Sequence, residues 1–430
     1  MTQDAAVERW SPRDWKRLAL IALGALVLRA GAAMLLEHHP IFPAYYYHDA
    51  VLTDELSRQT LAAWRQGAAL PLDYGPSQRL VAFCTAALYR VFGLHPLIPM
   101  LANAALGALG VFALGVLASR AFGPRAGLLA AGAVALWPSE VFYTSQNLKE
   151  APTQLLLWLA FAALLPGAGD DAACAARAAA GLAALMVAAL LRPYLLIAAV
   201  AALGAGAVWS AARRKKNRAA GWAPAAAVLA APLLYQAVSH LAFDRLLPAT
   251  RLKPNTENVV VPVAVDASGA RFHPYSPAAI EGFRRSRQAG DRDYSRLTAV
   301  RQIQTQIFPD ARFADWTDVA EFIPKSAFYV LFMPLPGLYP MDGKLGRLLA
   351  AAENVVLLAL AVLGVAGFLR GPKTPARAAA VLFLVFMTCG AALLELDQGS
   401  AARHKLFYLP LIFPFAAEEL LRLFRNPPRA

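Results

Sequence analysis

Residues Leu18–Leu36 read LALIALGALVLRAGAAMLL, an apolar run in which Arg29 is the one charged residue. At about 1.5 Å of helix rise per residue, a run of this length approaches the ~30 Å hydrocarbon core of a bilayer. Comparable runs recur, and spans are expected at 18–36, 97–118, 126–143, 151–166, 174–191, 193–211, 220–239, 347–369, 376–395 and 405–424. Residues 78–93 are shorter and amphipathic and read as an interfacial or re-entrant helix. The whole chain agrees: its 430 residues are 58% hydrophobic and 16% charged, against about a quarter charged in soluble domains. The fold class expected is all-α, a polytopic membrane helix bundle of about ten transmembrane helices with interfacial helices and a mid-sized extracytoplasmic loop.

Charge patterning orients the bundle. Arg13, Lys16 and Arg17 precede the first run, Arg120 and Arg125 follow the second, and Arg213–Lys216 follow the sixth. Arg370, Lys373 and Arg377 follow the eighth, and Arg422 and Arg425 close the chain. If every run crosses, all of these fall on one side, which positive-inside logic makes cytoplasmic. Both termini are then cytoplasmic, the N-terminal run is an uncleaved anchor, and a bacterial inner membrane is the expected setting. The loop 167–173, with Asp170 and Asp171, is the exception. A net charge of +13 is absorbed by span ends and lipid headgroups, so membrane lipids are expected partners and nucleic acid is not. Cys84, Cys174 and Cys389 are too few and too scattered for a disulfide or metal framework.

Three parts follow. Residues 1–239 are expected to form an N-terminal membrane module whose outer loop, 37–96, is the candidate catalytic loop. Residues 240–346 form an extracytoplasmic loop, and 347–430 the C-terminal transmembrane helices. Within the loop, Val259–Val265 suggests a short edge strand, 278–307 a helix with a basic face, and 322–340 a proline-broken interfacial stretch.

The outer face collects the residues suited to chemistry. Asp49, Asp54 and Glu55 follow the first crossing, and a carboxylate at headgroup depth can act as general base. Lys149 and Glu150 return to that face two crossings later, joined by Arg192, Arg403, His404 and Lys405. Cations there suit a phosphate and the charge developing on it as it leaves; for Lys405, snorkelling to ordinary phospholipid is the preferred reading. Arg29 and Glu353 lie at similar depth in their spans, and the cost of charge in hydrocarbon predicts that they pair. No phosphate-cradling glycine loop and no His-rich zinc spacing occurs.

The segment Asp54-Glu55-Leu56-Ser57-Arg58, continuing to Ala62, Trp64 and Gly67, resembles the first outer loop of polytopic GT-C glycosyltransferases. That group contains protein mannosyltransferases and the aminoarabinose transferase of lipid A. Leu88-Tyr89-Arg90-Val91-Phe92-Gly93 continues the likeness, and Ser145–Glu150 resembles the second acidic site. Leu191-Arg192-Pro193 and Arg403-His404-Lys405 resemble its later punctuation. The resemblance implies a GT-C-like fold and a polyprenyl-phosphate sugar donor attacked by a lipid, glycan or protein hydroxyl with inversion. It implies catalytic roles among Asp54, Asp49, Glu55 and Glu150, and substrate binding by Lys149, Arg192, Arg403, His404 and Arg58. A divalent metal is compatible with such sites and is not demanded. Arg58 departs from the pattern, which often has an aromatic there. Asp49 competes with Asp54 for the place of the base, with Asp54 preferred on its spacing to Ala62 and Gly67.

Two other functions fit an outer-face membrane protein. A polysaccharide polymerase or ligase is suggested by the arginines at 284, 285, 287, 292, 296 and 301, yet does not need the acidic first loop. A transporter or assembly scaffold would more often show paired halves or broken central helices.

Overall fold

The computed structural model describes residues 10–43, 46–67, 76–165, 174–213, 218–247, 276–298, 305–340 and 344–425. The expected strand at Val259–Val265 and the acidic loop 167–173 lie outside these residues. The chain divides into two compact units. The first comprises Met1–Asn255, Ala359–Phe383 and Leu409–Ala430, and the second Thr256–Leu358 and Leu384–Tyr408. Among the described residues six helices are long and apolar enough to cross a membrane, and a bent pair makes a seventh if counted as one span. The chain is an all-α, multi-pass membrane protein.

The first unit begins with α1 (Pro12–His38). Pro12 sits in the first turn, where its missing N–H costs nothing. Ser11 caps the helix reciprocally with Asp14, the Ser11 hydroxyl accepting from the Asp14 amide at 3.2 Å and the carboxylate accepting from the Ser11 amide at 3.0 Å. Two shorter helices, α2 (His48–Arg65) and α3 (Pro76–Phe92), pair with each other. The next, α4 (Leu97–Phe122), lies against α1 and is followed by α5 (Pro124–Leu136) and the one-turn-and-more α6 (Pro138–Thr144). Small residues on α4 let its neighbours close in, as packing without a hydrophobic drive requires. A Cβ added at Gly115 would lie 2.4 Å from the Leu18 side chain, and one at Gly127 of α5 would lie 2.7 Å from the Ser119 amide nitrogen.

The expected span at 126–143 is broken. Pro138 has no N–H to offer the Val134 carbonyl, and its ring excludes the preceding turn. Trp137 adopts extended angles (φ −66°, ψ 121°), as a residue before proline tends to, and the axis turns by 62° between α5 and α6.

Beyond the turn 145–149 the unit continues with α7 (Glu150–Leu164), α8 (Cys174–Leu191), α9 (Tyr194–Arg213) and α10 (Arg218–His240). The last runs into a π-helical turn, Leu241–Leu246. The expected spans 151–166 and 174–191 are thus α7 and α8, apolar but short. Arg79 of α3, almost wholly buried, donates to the carbonyls of Phe243 (3.3 Å) and Leu247 and so ties α3 to this turn.

In the second unit, α11 (Pro277–Thr298) and α12 (Trp316–Phe332) are followed by α13 (Leu345–Arg370) and α14 (Pro375–Leu394), whose other halves belong to the first unit. Arg284 organises this unit. It is 2% exposed and donates to the carbonyls of Leu393, Ile307 and Phe308, each at 2.9 Å. Burial pushes its guanidinium down to about 10. The stretch expected to lie proline-broken at 322–340 is instead helical from Trp316, passes through Pro324, and stops at Met333 before Pro334. Asp315 caps it, accepting from the amides of Thr317 (2.7 Å) and Asp318 (3.1 Å).

The expected final span 405–424 is also interrupted. A short α15 (Gln398–His404) gives way to two 3-10 turns, Lys405–Phe407 and Leu409–Leu411, and only then to α16 (Ile412–Arg425). Within the first unit α16 is strongly two-sided. Its Glu419 pairs with Arg370, and its Glu418 with Arg377, which also lies over the rings of Phe122 and Phe415.

Candidate active site

The first helix after the initial span carries the acids. Asp49 lies in the first turn of α2, half-buried, its backbone carbonyl accepting from the Thr53 hydroxyl at 2.7 Å. Asp54 is one and a half turns on. Its Oδ1 accepts from the Tyr89 hydroxyl of α3 and its Oδ2 from Arg58 Nε at 2.7 Å, while the Arg58 guanidinium lies 5.8 Å from the Tyr89 ring. The Tyr89 side chain is fully buried; its phenol is raised above the ordinary range first by burial and then by the neighbouring Asp54 carboxylate, so it stays a donor. Arg58, the residue that departs from the family pattern, therefore has a definite task here. With Tyr89 it holds the Asp54 carboxylate from two directions. Glu55 points elsewhere: it is exposed and accepts from Gln59 at 3.4 Å.

The turn between α6 and α7 supplies the second group. Lys149 Nζ donates to Ser77 Oγ at the start of α3 (2.8 Å). Glu150, 1% exposed, pairs with Arg192, itself 7% exposed, at the turn between α8 and α9. A charge buried to this degree is tolerable only when paired. Thr85 and Tyr89, four residues apart, share one side of α3, while Ser77 lies about a third of a turn round the helix from Tyr89. Twelve residues amount to about 18 Å of helix, so the Asp54 cluster and Lys149 sit toward opposite ends of α3 and do not touch through it.

The break at Pro138 is held from inside the unit. Arg29, 0% exposed, donates to Thr144 Oγ1 (2.9 Å) and to the carbonyls of Ala135 (3.0 Å) and Val134 (3.3 Å) that the break frees. The carboxylate acting on it is Glu140, which also accepts from Gln154 Nε2 at 2.8 Å. The expected Arg29–Glu353 pair is therefore corrected. Equal depth in the bilayer does not make neighbours, and a proline break in α5–α6 offers Arg29 oxygens close at hand. Glu353, in the second unit, acts instead on Lys405.

In that unit His404 pairs with Glu395 in a half-closed setting, and Arg403 sits beside it in α15. Lys405 is 4% exposed and donates to Asn354 Oδ1 at 2.8 Å. It is part of the interior, and the expectation that it snorkels to lipid is corrected. Two of the arginines that suggested a polymerase are structural: Arg284 binds carbonyls, and Arg285 pairs with Glu281 one turn before it. The side chains at 287, 292 and 296, and residue 301, lie outside what is described. Among the described residues no three His, Cys, Asp or Glu side chains converge as a metal cage.

Sequence reasoning missed Tyr89, Arg79 and Glu140. For Tyr89 the signal was present in Leu88-Tyr89-Arg90, where a tyrosine follows a run of small residues on an amphipathic helix.

No family model matches the chain, and no curated protein does. Among solved structures the chain is similar to ArnT from Cupriavidus metallidurans bound to undecaprenyl phosphate, at 16% identity over 96% of this chain and 78% of that one, with a TM-score of 0.39. It is also similar to ArnT from the same organism in the apo state, at 15% identity over 85% of this chain and 72% of that one, with a TM-score of 0.32. Neither overlap is deep enough to carry residue roles across.

Proposed function

We propose that this protein is a membrane glycosyltransferase of GT-C type, moving a sugar from a polyprenyl-phosphate donor to a lipid, glycan or protein hydroxyl at the outer face of a bacterial inner membrane. Both termini are then cytoplasmic. The observation that carries the reading is the Asp54–Arg58–Tyr89 cluster. An acid placed just after the first span is gripped by two donors, and each of its oxygens keeps a second lone pair for an incoming hydroxyl. A base oriented by a third group is the usual arrangement for activating a hydroxyl.

In the reaction, the acceptor oxygen attacks the anomeric carbon and its proton passes to Asp54. The bond from that carbon to the phosphate oxygen breaks, the configuration inverts, and the polyprenyl phosphate departs with the electron pair. Lys149 and Arg192 are assigned to the phosphate, where fixed cations favour charge as it develops. Glu150 keeps Arg192 in place. Asp49 is the alternative base.

The test uses purified full-length protein, radiolabelled polyprenyl-phosphate sugars and a panel of acceptors. Asp54→Asn is expected to lower turnover by about 10²- to 10⁴-fold, the usual contribution of general-base catalysis, with Asp49→Asn much less affected. Full activity in both variants refutes the assignment. Labelling that finds residues 46–60 on the cytoplasmic side refutes the orientation.

A further inference from the structure

The turn that follows α6 contains two buried amides whose hydrogen bonding is half complete. Gln146 is 1% exposed and Asn147 6%. Gln146 Nε2 donates to the Phe142 carbonyl at 3.1 Å, and Asn147 Oδ1 accepts from the Thr85 hydroxyl of α3 at 3.2 Å. The backbone between them is fixed as well, because Asn103 Nδ2 of α4 donates to the carbonyls of Gln146 (2.6 Å) and Leu148 (2.8 Å). The remaining atoms, Gln146 Oε1 and Asn147 Nδ2, are buried and have no hydrogen-bond partner among the described residues. A hydroxyl can meet either end of an amide, so turning the Asn147 amide over would still leave one of its polar atoms unmet.

Burying an unmet polar atom is costly enough that proteins rarely keep one without a use. Here two stand on adjacent residues of a pinned turn, one an acceptor and one a donor. That combination matches a hydroxyl, which gives one hydrogen bond and takes another. A phosphate oxygen would call for donors alone, and an isoprenoid chain for neither.

Their place along α3 narrows the ligand. Thr85, which holds Asn147, is four residues or about 6 Å of helix from Tyr89, which holds Asp54. On the other side Ser77, which holds Lys149, is eight residues or about 12 Å away. Base, Asn147 and cation are thus anchored in that order along one helix, with Gln146 beside Asn147 in the chain. The order matches an acceptor hydroxyl, a sugar ring and a phosphate laid end to end.

We propose that Gln146 and Asn147 form a neutral subsite for hydroxyls on the sugar ring of the lipid-linked donor. The proposal rests on the transferase reading above, and the test separates the two. Equilibrium binding is measured on the full-length protein in detergent with undecaprenol, undecaprenyl phosphate, and undecaprenyl phosphate carrying mannose, glucose or galactose. Wild type should bind at least one sugar-bearing lipid about 3- to 10-fold more tightly than undecaprenyl phosphate, the worth of one neutral hydrogen bond. Gln146→Met, which keeps length and volume, should erase that margin, leave the affinity for undecaprenyl phosphate unchanged and not lower the melting temperature. Thr85→Val, which releases Asn147, should reduce the margin by a similar factor.

No margin in wild type for any of the three sugars, or a margin that survives both substitutions, overturns the subsite. Equal loss toward undecaprenyl phosphate does so too. Undecaprenol binding as tightly as undecaprenyl phosphate overturns the donor reading instead.

Discussion

Replacing Arg29 by methionine removes the group that closes the break in α5–α6. The guanidinium makes two short bonds, to Thr144 at 2.9 Å and Ala135 at 3.0 Å, and a longer one to Val134 at 3.3 Å. Hydrogen bonds from a charged donor contribute about 1.5–3 kcal/mol each, so the two short ones together suggest roughly 3–6 kcal/mol. The loss is read as a shift in the midpoint of SDS-driven unfolding followed by circular dichroism in mixed micelles. Arg29→Lys should recover only part of it, because one ammonium cannot reach oxygens spread around a planar fork. Combining Arg29→Met with Glu140→Gln should cost less than the sum of the singles by about 1–3 kcal/mol. A single-variant loss within the ~0.5 kcal/mol of an ordinary surface change, or strict additivity with Glu140, refutes the account of the break.

Gly127→Ala would place a methyl 2.7 Å from the Ser119 nitrogen and 2.8 Å from the Gly115 oxygen, backbone atoms that cannot step aside. It should cost about 1–3 kcal/mol or more by overpacking. Gly132→Ala meets nothing within 4 Å and should be neutral or stabilising by up to about 1 kcal/mol; both are read by the same unfolding titration. The Asp315 carboxyl is held below its ordinary value by the amides of Asp318 and Thr317. Its capping contribution is therefore complete above the ordinary carboxylate range and fades as pH falls through the lowered value. Hydrogen exchange at 316–320 should be faster in Asp315→Ala than in wild type at pH 6, and the difference should shrink toward pH 3; a constant difference refutes it. Tyr89→Phe should lower turnover with little change in the apparent KM for donor, since it loosens Asp54 without touching the cations; an effect on KM alone contradicts its role.

The long helices were legible because nothing in them competes with hydropathy. The runs 97–118, 193–211, 347–369 and 376–395 fall inside α4, α9, α13 and α14, with at most a residue's difference at one end. The runs that broke carry prolines where hydropathy sees only apolar residues: Pro138 at the α5–α6 bend, and Pro410 and Pro414 in the last segment. The acids that follow the first span were legible as a group. What sequence could not give was which partner each takes, because depth in a bilayer fixes one coordinate of a side chain and leaves its neighbours open. Arg29 and Lys405 show it from both sides. One was matched with an acid of the other unit on depth alone, the other with solvent-side lipid, and each donates to oxygens of its own unit.

The bonds of Arg29 also set a timetable. Its partners follow it by 105 to 115 positions in the chain, and at ribosomal speeds that stretch takes on the order of ten seconds to make. During that interval α1 has left the ribosome with a guanidinium that meets only the Ala25 carbonyl of its own helix, at 3.4 Å. The first helix therefore must be kept beside the insertion machinery, or with its charge drawn toward an interface, until the bend at Pro138 arrives. Insertion of this protein is then a waiting process, in which α1 settles only once residues 134–144 have been made.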